Sequence, residues 1–279
     1  MMRTIKEQVR GIQTQDGAGV KLTRVLSRPQ VKAFDPFLML DAFDAKDSED
    51  YVKGFPWHPH RGIETITYLI DGLIEHQDSL GNKGLIGPGD CQWMTAGSGI
   101  LHQEMPLPSN HMFGIQLWLN LASHNKMARP QYRDIQAKHV PVINHDNATI
   151  RIISGYFNQI AGAVQPDYVP LTFLDVAVNP ASTIIISTKK EDTVFAYIMA
   201  GKAVFEENGL LLDSKQAVLF NEGEELMIKT NESDIRFFLF MAPKLSEPVA
   251  WGGPIVMNTE EELRYAFQEL RNNIFIKTK

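Results

Sequence analysis

Two short stretches hold the residues best suited to chemistry: Phe55-Pro56-Trp57-His58-Pro59-His60-Arg61-Gly62-Ile63-Glu64 and Gly99-Ile100-Leu101-His102-Gln103-Glu104. Each carries two metal-ligating side chains two positions apart. Side chains at i and i+2 of a β-strand leave from one face. His58 and His60 would lie about 6.6 Å apart along such a strand. Their rings can converge on an ion at about 2.1 Å while a facing strand supplies the other ligands. Three imidazoles and a carboxylate suit iron, manganese, nickel, copper or zinc. An ion preferring six ligands would keep two positions open for water, substrate or dioxygen, as a catalytic site requires. A lone His-x-His is more often a chance surface feature. Two ligand pairs of matching period, flanked by glycine and proline, outweigh that reading. On spacing alone, Glu64 and Glu104 are equal candidates for the carboxylate.

Such pairs need strands to carry them, and strand signals dominate the chain. Short apolar or alternating runs, among them Thr65–Ile70, Met112–Leu121, Leu171–Val178, Val194–Met199 and Ile235–Met241, are separated by turn clusters such as Asp71-Gly72 and Gly87-Pro88-Gly89-Asp90. This density predicts an all-β sandwich or barrel and not a parallel α/β sheet. If the strand after His58 runs without a bulge, His60, Glu64, Ile66, Tyr68 and Ile70 share its face. Ile100, His102 and Glu104 share another. The next strand sets Phe113, Ile115, Leu117 and Leu119 against Gln116, Trp118 and Asn120. Ile66, Phe113 and Ile115 are the apolar groups expected to help line a pocket. One helix is predicted near the end, with Thr259 as N-cap, Glu262 completing a capping box, and Leu263, Ala266, Phe267 and Leu270 at helical spacing. Trp251 and Phe267 are expected to pack it.

Tyr68-Leu-Ile-Asp-Gly72 resembles Tyr197-Ile-Met-Ala-Gly201, about half a chain away. Two tandem β-domains explain this, with a boundary near Arg133–Asn147: residues 1–134 and residues 148–279. All eight histidines lie at or before His145, so a histidine site belongs to the first domain. The net charge of −6 argues against a broad nucleic-acid footprint. The single cysteine, Cys91, permits no intrachain disulfide and no thiolate cluster, and reads as a buried small hydrophobe. The start of the chain has no apolar leader, and no run approaches the roughly 20 apolar residues of a membrane span. A cytoplasmic, monomeric protein is expected. Arg61 is assigned a structural role. His76, His111, His124 and His145 sit in polar or turn contexts that suit surface or supporting roles, with His111 the first to test.

These residues resemble a known family. Gly54-x₃-His58-Pro-His60-Arg-Gly-x-Glu64-Thr-x-Thr-Tyr68-Leu-x-x-Gly72 is similar to the first cupin motif in its pirin variant, and Met94-Thr-Ala-Gly97-Ser-Gly99-Ile-Leu-His102-Gln-Glu104-Met-Pro106 to the second. Asp35–Asp41, Gln116–Asn120, Pro130–Tyr132 and Gly253–Thr259 also resemble pirin landmarks. The gap from Gly54 to His58 is shorter than in general cupins. The resemblance implies a bicupin: two β-barrels of jelly-roll type, the first holding one divalent metal, usually Fe(II), with Mn, Ni, Cu and Zn as alternatives, and the second metal-free and ending in a helix. It implies His58, His60, His102 and Glu104 as the ligands and places Glu64 just outside them. It also implies an activity. Some pirins resemble quercetin 2,3-dioxygenases, which open a flavonol ring with O₂ and release carbon monoxide; Glu104 would act as general base. The same resemblance implies an alternative, a non-enzymatic iron protein whose redox state governs binding to transcription factors or metabolic enzymes.

Overall fold

The computed structural model describes residues 1–277. In chain order its first strands are β1 (Ile5–Arg10), β2 (Ile12–Asp16), β3 (Val20–Leu26), β4 (Phe37–Ala45), β5 (Phe55–His60), β6 (Ile63–Asp71), β7 (Leu73–Asp78), β8 (Lys83–Ile86), β9 (Cys91–Thr95), β10 (Ile100–Leu107), β11 (Met112–Asn120) and β12 (Gln131–Ile135). Helix α1 spans Glu260–Arg271. Among the described residues no helix is long and apolar enough to cross a membrane.

The chain forms two compact units that do not follow chain order. One comprises Ile12–Val31, Phe37–Ala137 and Leu245–Lys279; the other comprises Met1–Gly11, Lys32–Pro36 and Lys138–Lys244. The expected contiguous segments, 1–134 and 148–279, differ from this at both ends, for a physical reason. β1 hydrogen-bonds to Gln216–Phe220 of the second unit. The C-terminal segment instead joins the first unit, where Ile255 bridges Arg61 and Val256 N donates to Arg61 O at 3.1 Å. The helix expected to end the second domain therefore packs in the first, burying Leu263 and Ala266 with Ala250, Ile255 and Met257. Its capping box forms as predicted: Glu262 N donates to Thr259 Oγ1 at 3.2 Å, and Thr259 N to Glu262 Oε2 at 2.9 Å.

In the first unit a seven-stranded antiparallel sheet, β12-β9-β6-β11-β4-β3-β2, is joined by a four-stranded one, β5-β10-β7-β8. Apolar clusters draw on both. Val20, Leu22, Phe43, Leu69 and Met112 of the larger sheet meet Ile74 and Ile86 of the smaller, and Met39, Ile63, Met94 and Trp118 meet Ile100. β10 alternates buried and half-buried residues along its length, the period a barrel wall requires.

β5 and β6 are two strands, not one. Gly62 separates them with φ +77°, and a Cβ there would fall 1.9 Å from Val256 O. Only glycine fits this turn. The turn resets the side-chain parity. Thr67 points inward to Glu104, while Glu64, Ile66 and Tyr68 leave by the opposite face of β6. Beside the turn, Arg61 is buried as expected: its guanidinium donates to Ser98 O (2.8 Å), Glu269 Oε2 (2.7 Å) and Phe275 O (2.8 Å). Lys126 Nζ ties the same turn through Gly62 O (2.8 Å), Val256 O (2.9 Å) and Asn120 Oδ1 (2.6 Å).

The second unit repeats the larger sheet in the same order: Ile5–Arg10, Gln216–Phe220, Thr193–Ala203, Ile235–Ala242, Thr172–Val178, Ala148–Ser154, Val142–His145. A two-stranded ribbon, Thr183–Ser187 with Glu225–Lys229, accompanies it. Its core is continuous and apolar, from Ile150 and Leu174 to Phe237 and Met241.

Candidate metal centre

β5 and β10 run antiparallel with His58 directly opposite His102. This register, with the i, i+2 rule on each strand, brings His58, His60 and His102 together as the two motifs predict. One ring nitrogen from each lies within 4.8 Å of the others. His58 Nε2 and His60 Nε2 are 3.1 Å apart. Each of these rings turns its other nitrogen to a backbone carbonyl: His58 Nδ1 to Pro56 O at 2.9 Å, and His60 Nδ1 to Pro254 O at 3.1 Å. A carbonyl can only accept, so both Nδ1 atoms carry the proton and both Nε2 atoms offer lone pairs. Both ring nitrogens of His102 are buried without a hydrogen-bond partner.

Burial also sets the charge state. It pushes His60 down to about 3 and His102 well below its ordinary value, with the neighbouring imidazoles adding to both shifts; it lowers His58 as well. Three neutral imidazoles with converging nitrogens form the state a divalent ion binds, because no proton must first be shed. Buried, unpartnered nitrogens cost about 1–3 kcal/mol each until something coordinates them. The donor set fits a metal ion.

Glu104 sits beside this group but outside it. Its carboxylate accepts from Thr67 Oγ1 (3.0 Å, on Oε1) and Gln116 Nε2 (3.1 Å, on Oε2). Thr67 Oγ1 also lies 2.5 Å from Gln116 Oε1. Burial pushes the Glu104 carboxyl up to about 7 against these two hydrogen bonds. A cation nearby would pull it back down. Thr67 and Gln116 were not singled out from the sequence. The alternation in Met112–Asn120 was there to read, but both faces of β11 are buried, and the site takes the Gln116–Trp118 face.

Glu64 lies on the other face of β6, where its carboxylate accepts from Thr95 Oγ1 at 2.6 Å. The expectation that it supports the ligands is corrected by the turn at Gly62. For the same reason Ile66 does not line the pocket, and neither do Phe113 and Ile115. The cavity beside the histidines has a volume of about 950 Å³, and its apolar wall is Met39, Phe43, Phe55, Trp118 and Trp251. Trp251, expected to pack the helix, instead faces Trp118 with ring centroids 5.8 Å apart. Arg24 also borders the cavity and is neutralised there by Asp41, at 2.9 and 2.7 Å, and by Asp16 at 2.6 Å.

Of the other histidines, His111 is remote from the cluster: it pairs with Asp44 at 2.8 Å and stacks on Phe113. His76, given a surface or supporting role from the sequence, is buried beside the cluster. It is 2% exposed, stacks on Tyr132 with centroids 4.5 Å apart, and lies 5.4 Å from the His102 ring. Ile74, His76 and Asp78 alternate with half-buried or exposed neighbours in Leu73–Asp78, so a period-two reading of that segment would have found it. Cys91 is buried and free, and burial raises its thiol far from reactivity.

The chain is similar to proteins of known families along most of its length. The family model described as Pirin matches residues 19–119, and that of the Pirin C-terminal cupin domain matches residues 173–276. A pirin-like protein of Caulobacter vibrioides is 39% identical, covering 98% of this chain and 99% of its own. Human pirin is 36% identical over 92% of this chain and 88% of its own. The crystal structure of a quercetin 2,3-dioxygenase from Acinetobacter baumannii matches with a TM-score of 0.90 at 29% identity, covering 99% of each chain. The two-domain cupin architecture is thereby shown.

Proposed function

The chain belongs to the pirin family, and from that we propose that it is a mononuclear metal-dependent dioxygenase of the quercetin 2,3-dioxygenase type. The observation that carries this reading is the convergence of three neutral imidazoles beside an aromatic-walled cavity of about 950 Å³. That volume sits at the upper end of small-molecule pockets, roughly 300–1,000 Å³, and admits a three-ring flavonol. The structural match to a quercetin 2,3-dioxygenase supports the same substrate class.

His58, His60 and His102 would hold the ion, with Glu104 as the fourth ligand and Fe(II) as the first choice of metal. When bound, the ion supplies Lewis acidity toward a substrate oxygen. The protein does the rest. Trp118, Trp251, Phe43 and Phe55 offer ring faces against which a flat substrate stacks and from which water is displaced. Pro56 O and Pro254 O fix the His58 and His60 rings in one tautomer. Thr67 and Gln116 hold the Glu104 carboxylate in one orientation. With the ion bound the Glu104 carboxylate would be held ionised, and it is its oxygen that would take the flavonol 3-hydroxyl proton.

The experiment is oxygen uptake by metal-loaded protein with quercetin, together with detection of carbon monoxide. Oxygen consumed and carbon monoxide released in equal amounts, both lost in Glu104→Gln, are the expected result. A fully loaded protein that binds quercetin but consumes no oxygen overturns the enzymatic reading and leaves a metal-dependent binding protein.

A further inference from the structure

We infer that His76 is a positioning residue of the metal centre, holding the His102 ring in place through one bridging water. This rests on the reading of His58, His60 and His102 as ligands, and on nothing about turnover.

A metal-bound imidazole almost always donates its second N–H to a partner, which fixes both the tautomer and the ring plane. His58 and His60 have such partners in Pro56 O and Pro254 O. His102 has none for either nitrogen, although it is the most deeply buried of the three at 0% exposed. One nitrogen can face the ion; the other still needs a hydrogen bond.

The neighbours of His102 narrow the choice. Asp78, its cross-strand partner on β7, is committed to its own loop, accepting from Leu80 N (2.9 Å), Asn82 N (3.0 Å) and Asn82 Nδ2 (2.8 Å). Glu104 is committed to Thr67 and Gln116. His76 is not committed: both of its ring nitrogens are buried and unpartnered. It lies on β7 opposite Glu104, and its ring centroid is 5.4 Å from that of His102 with the planes tilted by 54°. No nitrogen of one ring is within direct hydrogen-bond reach of the other, so a single water is the bridge that satisfies both.

The setting of His76 suits a fixed support. Its ring lies almost parallel to that of Tyr132, at an interplanar angle of 8°. The Tyr132 hydroxyl is itself buried and unpartnered, and it passes over Gly84, the cross-strand partner of His76. A Cβ on Gly84 would fall 2.2 Å from Tyr132 Oη. The chain thus makes room for the tyrosine that clamps His76 from behind, and leaves its polar edge free to act forward on His102.

Cobalt(II) is the probe, because its visible spectrum reports ligand geometry without turnover. His76→Phe keeps a flat ring against Tyr132 and removes the nitrogens; His76→Gln keeps a polar group. The Phe variant is expected to bind cobalt about 10–100-fold more weakly with a shifted spectrum, and the Gln variant to recover most of the loss. A Phe variant with wild-type affinity and spectrum overturns the assignment. So does equal loss in Phe and Gln variants, which marks simple packing. A wild type that holds no cobalt overturns the ligand set itself. Should the Phe variant not fold, ¹⁵N-histidine spectra of the zinc-loaded wild type decide: slow exchange at the second nitrogen of His102 supports the bridge, and fast exchange there refutes it.

Discussion

Both barrels carry a line of five cross-strand partners across the larger sheet, strand for strand in the same order. In the first barrel it reads Arg24, Asp41, Gln116, Thr67, Gln92. In the second it reads Ile152, Leu174, Leu239, Ala196, Val218. The paired strands differ in the same way. β5 and β10 set His58 against His102, whereas Thr183–Ser187 and Glu225–Lys229 set Ile184 against Ile228 and Ile186 against Leu226. One frame has therefore been filled twice. The apolar line closes into a solid core. The polar line holds the Glu104 carboxylate through Thr67 and Gln116, beside the three imidazoles and a cavity, at the cost of burying groups that prefer water. The apolar frame packs as one continuous core, whereas the polar frame gathers buried histidines and Glu104 beside a cavity.

Four variants test that contrast, in order of expected effect. His58→Ala with His102→Ala should lower metal affinity by more than ~100-fold, because removing ligands must exceed the 10–100-fold cost of disturbing their supports; metal analysis after gel filtration reads it, and stoichiometric metal in the double variant would break the comparison. Leu239→Ala should lower the unfolding free energy by about 2–5 kcal/mol in a denaturant melt while leaving one ion per chain. Gln116→Leu places the apolar residue of the second line into the first. It should cost the metal-free protein no more than about 1.5 kcal/mol yet weaken metal binding about ten-fold in chelator competition; an unchanged affinity would show that the grip of Gln116 on Glu104 is idle.

The smallest effect is a slope. Burial pushes Lys126 down to about 7, below its ordinary value of 10.5. Between these values the unfolded chain holds a proton that the folded chain has shed, so stability rises with pH through this window, and below pH 7 the full burden remains. Lys126→Met should flatten that rise, by an amount on the order of 1 kcal/mol between pH 7 and 9. Urea midpoints at the two values measure it, and the Leu239→Ala variant should keep the wild-type slope.

The sequence made local features legible and hid those that depend on partners far along the chain. The paired ligands, the Thr259 capping box, buried Cys91 and the structural Arg61 each follow from a few adjacent residues. The alternative roles of Glu64 and Glu104 could not be separated by spacing, because a two-residue turn at Arg61-Gly62 cancels the parity on which spacing depends. The cavity wall was misplaced for the same reason. The surface and supporting roles of His76 were not separated because Glu75 and Gln77 beside it disguise a half-buried strand as a polar turn. The exchange of the two ends left no local trace at all, since β1 meets its partner more than 200 residues later.

That exchange has a consequence for the order of events at the ribosome. The carbonyl that orients His60 belongs to Pro254, 194 residues downstream. At roughly 5–20 residues per second, His60 leaves the peptidyl-transferase centre on the order of ten to forty seconds before its support is made. The first strand of the chain waits similarly for Gln216–Phe220. The first barrel therefore cannot be finished until its C-terminal segment is made, and β5, synthesised early, waits for the carbonyl that supports it. A release or stall between His145 and Pro254 yields a chain with all its histidines but without the carbonyl that orients His60.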